Sequence, residues 1–350
     1  MVRTPGEPMV LEERQETAEA GEVLVEVSGC GVCHTDLGFY YDGVPTRHPF
    51  PLTLGHEVSG RVVEAGAGAE GWLGKDVIVP AVTPCGSCEA CQSGRGSICA
   101  KQIFPGNDLH GGFATHLRVP AHGLCPVPDL SDPEKNPAGL DLATLSVIAD
   151  AVSTPYQAIL RSGLGAGDLA VFVGAGGIGG YGVQIAAAFG AVVVALDVDQ
   201  SKLDALASHG ASLTLRPAQM DFRELRKTLR KFAAERDIPT WRQRIFETSG
   251  TPQGQSTAFG LLGHGGYLAV VGYTPAKVEL RLSNLMALDA TAQGNWGCLP
   301  EHYPAALDLV LAEKVNLVSF VEKRPLASIN QTFEDLHARR VSKRIILIPK

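Results

Sequence analysis

Hydrophobic positions follow a strand-like pattern in the first part of the chain and alternate between strand-like and helix-like patterns in the second part. Short apolar runs at 23–27, 58–64 and 76–79, with glycine-rich turns between them, predict β-strands. The tripeptide STP at 153–155 is typical of a helix start. From 170 to 296, apolar strands alternate with helical segments, which indicates right-handed crossovers in a parallel sheet.

These elements predict an α/β protein with two domains. A dinucleotide-binding domain is expected at 152–296, and a β-rich domain is expected at 1–151, to which the chain returns at 297–350. In the second part we predict strands at 170–173, 192–196 and 344–348, and helices at 178–189, 202–209, 303–312 and 331–340.

The composition agrees with a globular α/β protein. The 350 residues are 45% hydrophobic and 19% charged, and the net charge of -7 argues against a nucleic-acid partner. Residues 169–196 carry no charge and could span a bilayer by length, but their clustered glycines indicate the interior of a globular fold. The N-terminal sequence has no apolar signal-peptide core, so we expect a cytoplasmic protein without membrane contact.

Four of the eight cysteines, Cys85, Cys88, Cys91 and Cys99, form the pattern C-x2-C-x2-C-x7-C. This spacing lets one loop surround a tetrahedral ion with four thiolates, and it predicts a closed structural zinc site. An iron–sulfur cluster is the alternative, but the ferredoxin pattern has its fourth cysteine after three residues and then proline. Here seven residues intervene and Ala100 follows, which favours zinc.

The turn at 174–179, sequence GAGGIG, matches the dinucleotide-binding pattern G-x-G-x-x-G. It follows an apolar strand and opens an apolar helix, and Asp197 ends the next strand at the spacing of an acid that binds the adenosine ribose. Because a carboxylate repels a 2'-phosphate and no arginine follows it, NAD is favoured over NADP. The residues expected to bind the pyrophosphate are Gly174, Gly176, Gly177, Ile178 and Gly179.

Cys33 and His56, in the segments GVCHTD and GHE, offer a thiolate and an imidazole for a second zinc ion. A catalytic zinc needs a third protein ligand and an open fourth position. These two segments leave the third ligand undetermined.

Five motifs occur in an order that resembles the zinc-containing medium-chain alcohol dehydrogenases over nearly the whole chain. The resemblance implies a GroES-like catalytic domain and a Rossmann cofactor domain, with NAD and two Zn²⁺ ions, one catalytic and one structural. It also implies a homo-oligomer, either a dimer or a tetramer. The motifs are GVCHTD at 31–36, GHEVSGRVVEAG at 55–66, the four-cysteine loop, GGFATHLRVP at 111–120 and VGAGGIG at 173–179.

The resemblance further implies roles for residues around the catalytic zinc. Asp150 stands where the family often has cysteine as the third ligand, and Glu57 is the rival ligand. Asp36 matches the carboxylate that orients the ligand histidine. Thr35 matches the hydroxyl that takes the proton of the alcohol. The expected catalytic residues are therefore Cys33, Thr35, His56 and Asp150.

Other matched positions concern the cofactor and the route of the proton. Lys202 matches a residue near the adenosine ribose, and Arg344 matches a late arginine that contacts the cofactor phosphates. Where many relatives have a histidine that completes the proton relay, this chain has Gly38. His34 is a candidate for a phosphate contact or for a substitute relay, and His48 is the second candidate for the relay.

The expected activity is zinc-dependent oxidation of a secondary alcohol by hydride transfer to NAD⁺. Details at 84–91 and 106–113, with nine basic residues between 216 and 244, are most similar to the 6-hydroxycyclohex-1-ene-1-carbonyl-CoA dehydrogenases of anaerobic benzoyl-CoA degradation. A CoA thioester is therefore the expected substrate, and the basic segment is either a solvated helix face or a contact for CoA phosphates. The alternatives are another small or cyclic secondary alcohol, a zinc-free enone or quinone reductase, and a non-catalytic NAD-binding protein.

Overall fold

The computed structural model describes residues 1–349, which form two compact units. The first, the β-rich unit, comprises residues 1–153, 297–313 and the described chain from 317 onward. The second, the parallel-sheet unit, comprises residues 154–296 and 314–316. The first boundary between the two units thus falls at 153/154, where the sequence predicted 151/152. The short return of the chain to the parallel-sheet unit at 314–316 was not predicted.

Thirteen strands and ten α-helices are present in residues 1–349. The strands are β1 (Glu22–Gly31), β2 (Glu57–Ala65), β3 (Asp76–Val79), β4 (His116–Pro120), β5 (Cys125–Pro126), β6 (Leu169–Val173), β7 (Val192–Leu196), β8 (Leu213–Leu215), β9 (Gln243–Glu247), β10 (Tyr267–Val270), β11 (Thr291–Gly294), β12 (Val321–Pro325) and β13 (Arg344–Ile348). The helices are α1 (His34–Tyr41), α2 (Glu89–Gln92), α3 (Ser153–Ser162), α4 (Gly177–Ala188), α5 (Gln200–Ala207), α6 (Phe222–Ala234), α7 (Pro252–Leu261), α8 (Ser283–Leu288), α9 (Tyr303–Leu311) and α10 (Ile329–His337).

The β-rich unit is built on one sheet with the strand order β12-β13-β1-β2-β3-β5, and β4 also pairs with β1. The long strand β1 pairs antiparallel with β2, β4 and β13. Val23, Val25 and Val27 alternate along β1 and share a buried core with Leu117 and Phe333, which is the period-two pattern of a half-buried strand. The sheet therefore brings the last strand, β13, next to the first one.

The parallel-sheet unit has the strand order β11-β10-β9-β6-β7-β8, and all of these neighbouring pairs are parallel. Strand β6 is buried along its whole length, as expected of a parallel strand that helices cover on both faces. Phe172 of β6 stacks on Phe246 of β9 with ring centroids 4.6 Å apart. The carboxyl ends of β6, β7 and β9 meet at one sheet edge, where Val173 lies opposite Leu196 and Glu247.

The uncharged stretch 169–196 folds as β6, α4 and β7, so its glycines lie in a strand–turn–helix. Among the described residues, none of the helices has the length and apolar character needed to cross a membrane. Helix α1 was not predicted, because helical periodicity is weak before residue 140.

Candidate active site and metal centres

Cys33, His56 and Asp150 reach one pocket of the β-rich unit from three segments. Cys33 follows β1 and is the N-cap of α1, whereas His56 directly precedes β2. Because β1 and β2 are antiparallel, the end of β1 and the start of β2 lie side by side. Asp150 follows a 3-10 helix that packs on both strands.

The three side chains have the separations of a tetrahedral metal site. Oδ2 of Asp150 lies 3.4 Å from Sγ of Cys33 and 3.5 Å from Nε2 of His56. A tetrahedral zinc with bonds of about 2.0–2.3 Å requires ligand atoms about 3.3–3.8 Å apart. Glu57 completes a group of four potential ligands whose donor atoms all lie within 4.8 Å of one another. The donor set of one thiol, one imidazole and one carboxylate therefore fits zinc.

Asp36 stands behind His56, as the sequence predicted. Its Oδ1 lies 3.3 Å from Nδ1 of His56, and the carboxylate accepts hydrogen bonds from the backbone N–H groups of Cys33 (2.9 Å) and Gly55 (3.1 Å). Burial alone would lower the pKa of His56, but Asp36 and Asp150 together raise it well above its usual range. The two carboxylates therefore favour the positively charged form of His56.

The rival ligand Glu57 is paired with Arg344. Arg344 donates a hydrogen bond from Nε to Oε2 of Glu57 (2.9 Å) and a second one from an Nη atom to Oε1. The same guanidinium lies 3.8 Å from Oδ2 of Asp150. Because both oxygens of Glu57 accept from Arg344, the geometry favours Asp150 over Glu57 as the third ligand. The predicted contact between Arg344, which is 8% exposed, and the cofactor phosphates stays a prediction.

Of the residues considered for the route of the proton, Thr35 contacts Cys33. The hydroxyl of Thr35 is 3.7 Å from Sγ of Cys33, and Thr35 is half-buried. Gly38 is buried against Val44 and offers no side chain for a relay. Nδ1 of His48 lies 2.6 Å from the carbonyl oxygen of its neighbour Pro49, and His34 is exposed.

The second group of potential ligands consists of Cys85, Cys88, Cys91 and Cys99. The Sγ atom of Cys88 lies 3.5 Å from that of Cys91 and 3.7 Å from that of Cys99, and Cys85 and Cys91 are 4.0 Å apart. Zinc–sulfur bonds of about 2.3 Å in a tetrahedron give separations of about 3.8 Å. Backbone and hydroxyl groups of Ser87 lower the pKa of Cys85 to about 5, whereas desolvation and neighbouring thiols raise that of Cys91 to about 12. Four such thiols leave no open position on a zinc ion.

The glycine turn follows the carboxyl end of β6. Gly174 has a φ of +106°, and a Cβ there would lie 2.6 Å from the backbone of Ser249, so only glycine fits. Asp197 directly follows the adjacent strand β7, and its Oδ2 accepts a hydrogen bond from the N–H of Ala175 (2.7 Å). The predicted ribose-binding acid therefore also fixes the glycine turn.

Two further predicted features lie in the parallel-sheet unit. Lys202 is half-buried in the first turn of α5, near Asp199. Arg226 and Arg230 of α6 line a small pocket together with Leu169 and Gln243, which are the first residues of β6 and β9. This edge of the sheet is opposite the one that carries the glycine turn.

Two family models match the chain: Alcohol dehydrogenase GroES-like domain over residues 19–129, and Zinc-binding dehydrogenase over residues 177–312. The chain belongs to the zinc-containing medium-chain alcohol dehydrogenases. This medium-chain dehydrogenase is 29% identical to an alcohol dehydrogenase of Geobacillus stearothermophilus, over 94% of this chain and 92% of the relative.

Solved structures of relatives agree over almost the whole dehydrogenase. The crystal structure of galactitol-1-phosphate dehydrogenase from Escherichia coli has a TM-score of 0.87 at 26% identity, covering 99% of this chain and 98% of that one. A cobalt- and zinc-bound thermostable alcohol dehydrogenase from Pyrobaculum aerophilum has a TM-score of 0.83 at 25% identity, with the same coverage. The GroES-like and Rossmann folds expected from the sequence are confirmed. This family member is a zinc-containing, NAD-dependent oxidoreductase of secondary alcohols.

Proposed function

We propose that the β-rich unit oxidises a secondary alcohol at a zinc ion held by Cys33, His56 and Asp150. The observation that carries this proposal is the convergence of a thiol and an imidazole on one carboxylate oxygen, at 3.4 and 3.5 Å. Three protein ligands leave one tetrahedral position for the substrate oxygen. A closed site with four protein ligands would have no such position.

When bound, zinc polarises the substrate oxygen and lowers the pKa of the alcohol, and NAD⁺ accepts the hydride. The protein's own groups position these partners. Asp36 orients the His56 ring through Nδ1, so that Nε2 faces the metal position. Thr35 takes the alcohol proton; its hydroxyl lies beside Cys33. His34 is exposed and directly precedes Thr35 in the sequence. It passes that proton to solvent, the role of the histidine that many relatives have where this chain has Gly38.

The remaining predicted residues have supporting roles in this proposal. Cys85, Cys88, Cys91 and Cys99 hold the structural zinc. The glycine turn and Asp197 bind the NAD pyrophosphate and the adenosine ribose, supported by Lys202. Arg344 holds Glu57 away from the catalytic zinc and is the candidate contact for a cofactor phosphate.

Metal counting combined with turnover tests the proposal. We expect two zinc ions per chain and NAD⁺-dependent oxidation of a secondary alcohol, and we expect activity to fall when one ion is removed by a chelator. A chain that binds a single zinc ion, at the four cysteines, and reduces enones with NADH or NADPH would instead be a reductase without a catalytic zinc. Binding of NAD with no turnover of any alcohol, aldehyde or ketone would favour a non-catalytic protein.

We further propose an anionic secondary alcohol as the substrate, with 6-hydroxycyclohex-1-ene-1-carbonyl-CoA as the first candidate and 6-oxocyclohex-1-ene-1-carbonyl-CoA as its product. The sequence similarity at 84–91 and 106–113 supports the CoA thioester. The structurally similar galactitol-1-phosphate dehydrogenase is named for a phosphorylated polyol, so sugar phosphates are the competing class. A turnover panel of cyclic hydroxyacyl-CoA thioesters, polyol phosphates and neutral secondary alcohols decides between these classes.

The basic face of α6 provides a separate test of the CoA candidate. If Arg226 and Arg230 bind CoA phosphates, charge reversal at both positions raises the KM for the thioester. The KM for a neutral alcohol and the KM for NAD⁺ stay unchanged. Equal effects on all three constants, or no effect, would leave α6 as a solvated helix face.

We also propose a cytoplasmic homo-oligomer, either a dimer or a tetramer. The support for the cytoplasm is that none of the eight cysteines is in a disulfide, since thiols and zinc thiolates persist in reducing compartments. Sedimentation of the zinc-loaded protein tests the oligomeric state.

A further inference from the structure

Asp150 lies on a link whose position is not fixed by helical hydrogen bonding. The 3-10 helix Thr144–Ala149 ends just before it, α3 begins at Ser153, and the backbone of Asp150 is not helical (φ -139°, ψ -57°). A ligand carboxylate on such a link must be held by contacts from other parts of the fold.

Those contacts converge on the carbonyl oxygen of Ala149, the residue before Asp150. The hydroxyl of Tyr303 donates a hydrogen bond to this oxygen (2.5 Å), and so does the hydroxyl of Ser153 (3.1 Å). The backbone N–H of Ala81, just beyond β3, points at the same oxygen (3.4 Å) and donates to the Tyr303 hydroxyl (3.1 Å). Ala149, Tyr303 and Ala81 therefore form a closed triangle of hydrogen bonds.

Tyr303 is suited to this role by its burial. It is the first residue of α9, and it is fully buried. Phenylalanine would fill the same space in an apolar core, so the hydroxyl adds polar contacts and little packing. Its polar contacts, with Ala149, Ser153 and Ala81, lie on the segment that carries Asp150 or beside it.

We propose that Tyr303 is a positioning residue for the catalytic metal, whose hydroxyl anchors Ala149 and thereby keeps the Asp150 carboxylate at ligand distance from Cys33 and His56. This inference rests on the proposed function. Tyr303 touches neither the donor atoms nor the substrate position, and it acts through the main chain of its neighbour. Nothing in the sequence around Tyr303 marks it, because its partner is 154 residues away.

The test compares zinc binding at the two metal sites of the full-length protein after Tyr303→Phe. Loss of a residue that supports a metal ligand costs about 10- to 100-fold in metal affinity. We expect a loss of that size at the catalytic site and unchanged affinity at the four-cysteine site, measured by competition with a chelator. The visible spectrum of the cobalt-substituted protein should change only in the catalytic-site component.

Tyr40→Phe is the matched control, because it removes another hydrogen bond from a tyrosine hydroxyl to the main chain (to Glu7, 2.6 Å) in the same unit. Its zinc affinities should equal those of the wild type. If Tyr303→Phe does not fold, Ser153→Ala replaces it and should show a smaller loss in the same direction.

The outcomes separate this inference from the proposed function. If the wild type binds two ions and the Tyr303→Phe variant, or its Ser153→Ala replacement, keeps wild-type affinity and cobalt spectrum, the positioning role is wrong. Equal losses at both metal sites would indicate general destabilisation and would also overturn it. A wild type that binds zinc only at the four cysteines would overturn the proposed function itself.

Discussion

Arg344 pairs with both carboxylate oxygens of Glu57 in the buried interior of the β-rich unit. Glu57 is fully buried and Arg344 nearly so, and burial raises the pKa of Glu57 while Arg344 opposes the rise. Removing one member of a buried ion pair leaves an uncompensated charge, which costs about 3–5 kcal/mol. We therefore expect Arg344→Ala to lower the free energy of unfolding by that amount, measured by denaturation of the zinc-loaded protein.

The surface pair of Arg61 and Asp76 is the control for this prediction. Arg61 is largely exposed, so Arg61→Ala should change stability by less than about 1 kcal/mol. In the double variant Arg344→Ala/Glu57→Gln, part of the lost stability should return because the buried charge is gone. An Arg344→Ala effect no larger than that of Arg61→Ala would contradict the buried-pair account.

Asp150 provides the sharpest test of the catalytic metal site. Asp150→Asn removes the ligand charge, so we expect one zinc ion per chain in place of two and a fall in kcat/KM of about 1,000-fold, or about 4 kcal/mol. Asp150→Cys supplies a thiolate, a good zinc ligand, and should keep both ions and much of the activity. Zinc counting by mass spectrometry and steady-state kinetics measure both effects. If Asp150→Asn retained two ions, Glu57 would become the third ligand.

Asp197 should control the choice between NAD⁺ and NADP⁺. Its carboxylate lies where the adenosine ribose is expected to bind, and it accepts a hydrogen bond from the N–H of Ala175 in the glycine turn. We expect Asp197→Ala to raise the KM for NAD⁺ about tenfold or more and to improve the use of NADP⁺, because repulsion of a 2'-phosphate is removed. Asp199→Asn changes a neighbouring carboxylate that caps α5 through the N–H of Ser201 and should leave the preference for NAD⁺ unchanged. An unaltered cofactor preference in Asp197→Ala would refute the ribose role.

His110 should make stability depend on pH. Burial, Arg14 and His48 lower the pKa of His110 to about 4, and its Nδ1 accepts a hydrogen bond from the N–H of Thr53 (3.1 Å). The unfolded chain binds a proton near pH 6.5 and the folded chain only near pH 4. Between these values the unfolded state holds more protons, so this residue lowers stability as the pH falls through that range.

The variant His110→Gln keeps an acceptor for Thr53 and has no proton to bind, so it should lose less stability than the wild type between pH 7 and pH 5. Denaturation curves at both pH values measure the difference. The exposed His116 of β4 supplies the control variant His116→Gln, which should follow the wild type. Parallel behaviour of His110→Gln and wild type would show that His110 does not contribute.

The sequence predicted the parts of the molecule that depend on local patterns. Strands β6 and β7 of the Rossmann sheet are continuous apolar runs, and β7 and β13 occur at the predicted residues. The four cysteines and the glycine turn are also local, because each site lies within one loop. Helix α1 escaped prediction because its consecutive residues from Asp36 to Tyr40 are all buried, so it lacks the polar face that marks an amphipathic helix.

The sequence could not determine the third ligand because the decisive contacts are distant along the chain. Asp150 meets Cys33 across 117 residues, and Arg344 meets Glu57 across 287. Asp150 and Glu57 are both carboxylates of suitable chemistry, and only the position of Arg344 distinguishes them. Tyr303 was missed for the same reason.

Strand β13 supplies Arg344 and lies beside β1, although it follows every other described element along the chain. During synthesis, β1 and β2 leave the ribosome long before β13, so until then Glu57 has no guanidinium partner. The ion pair that occupies both oxygens of Glu57 therefore depends on the strand that is made last among the described elements.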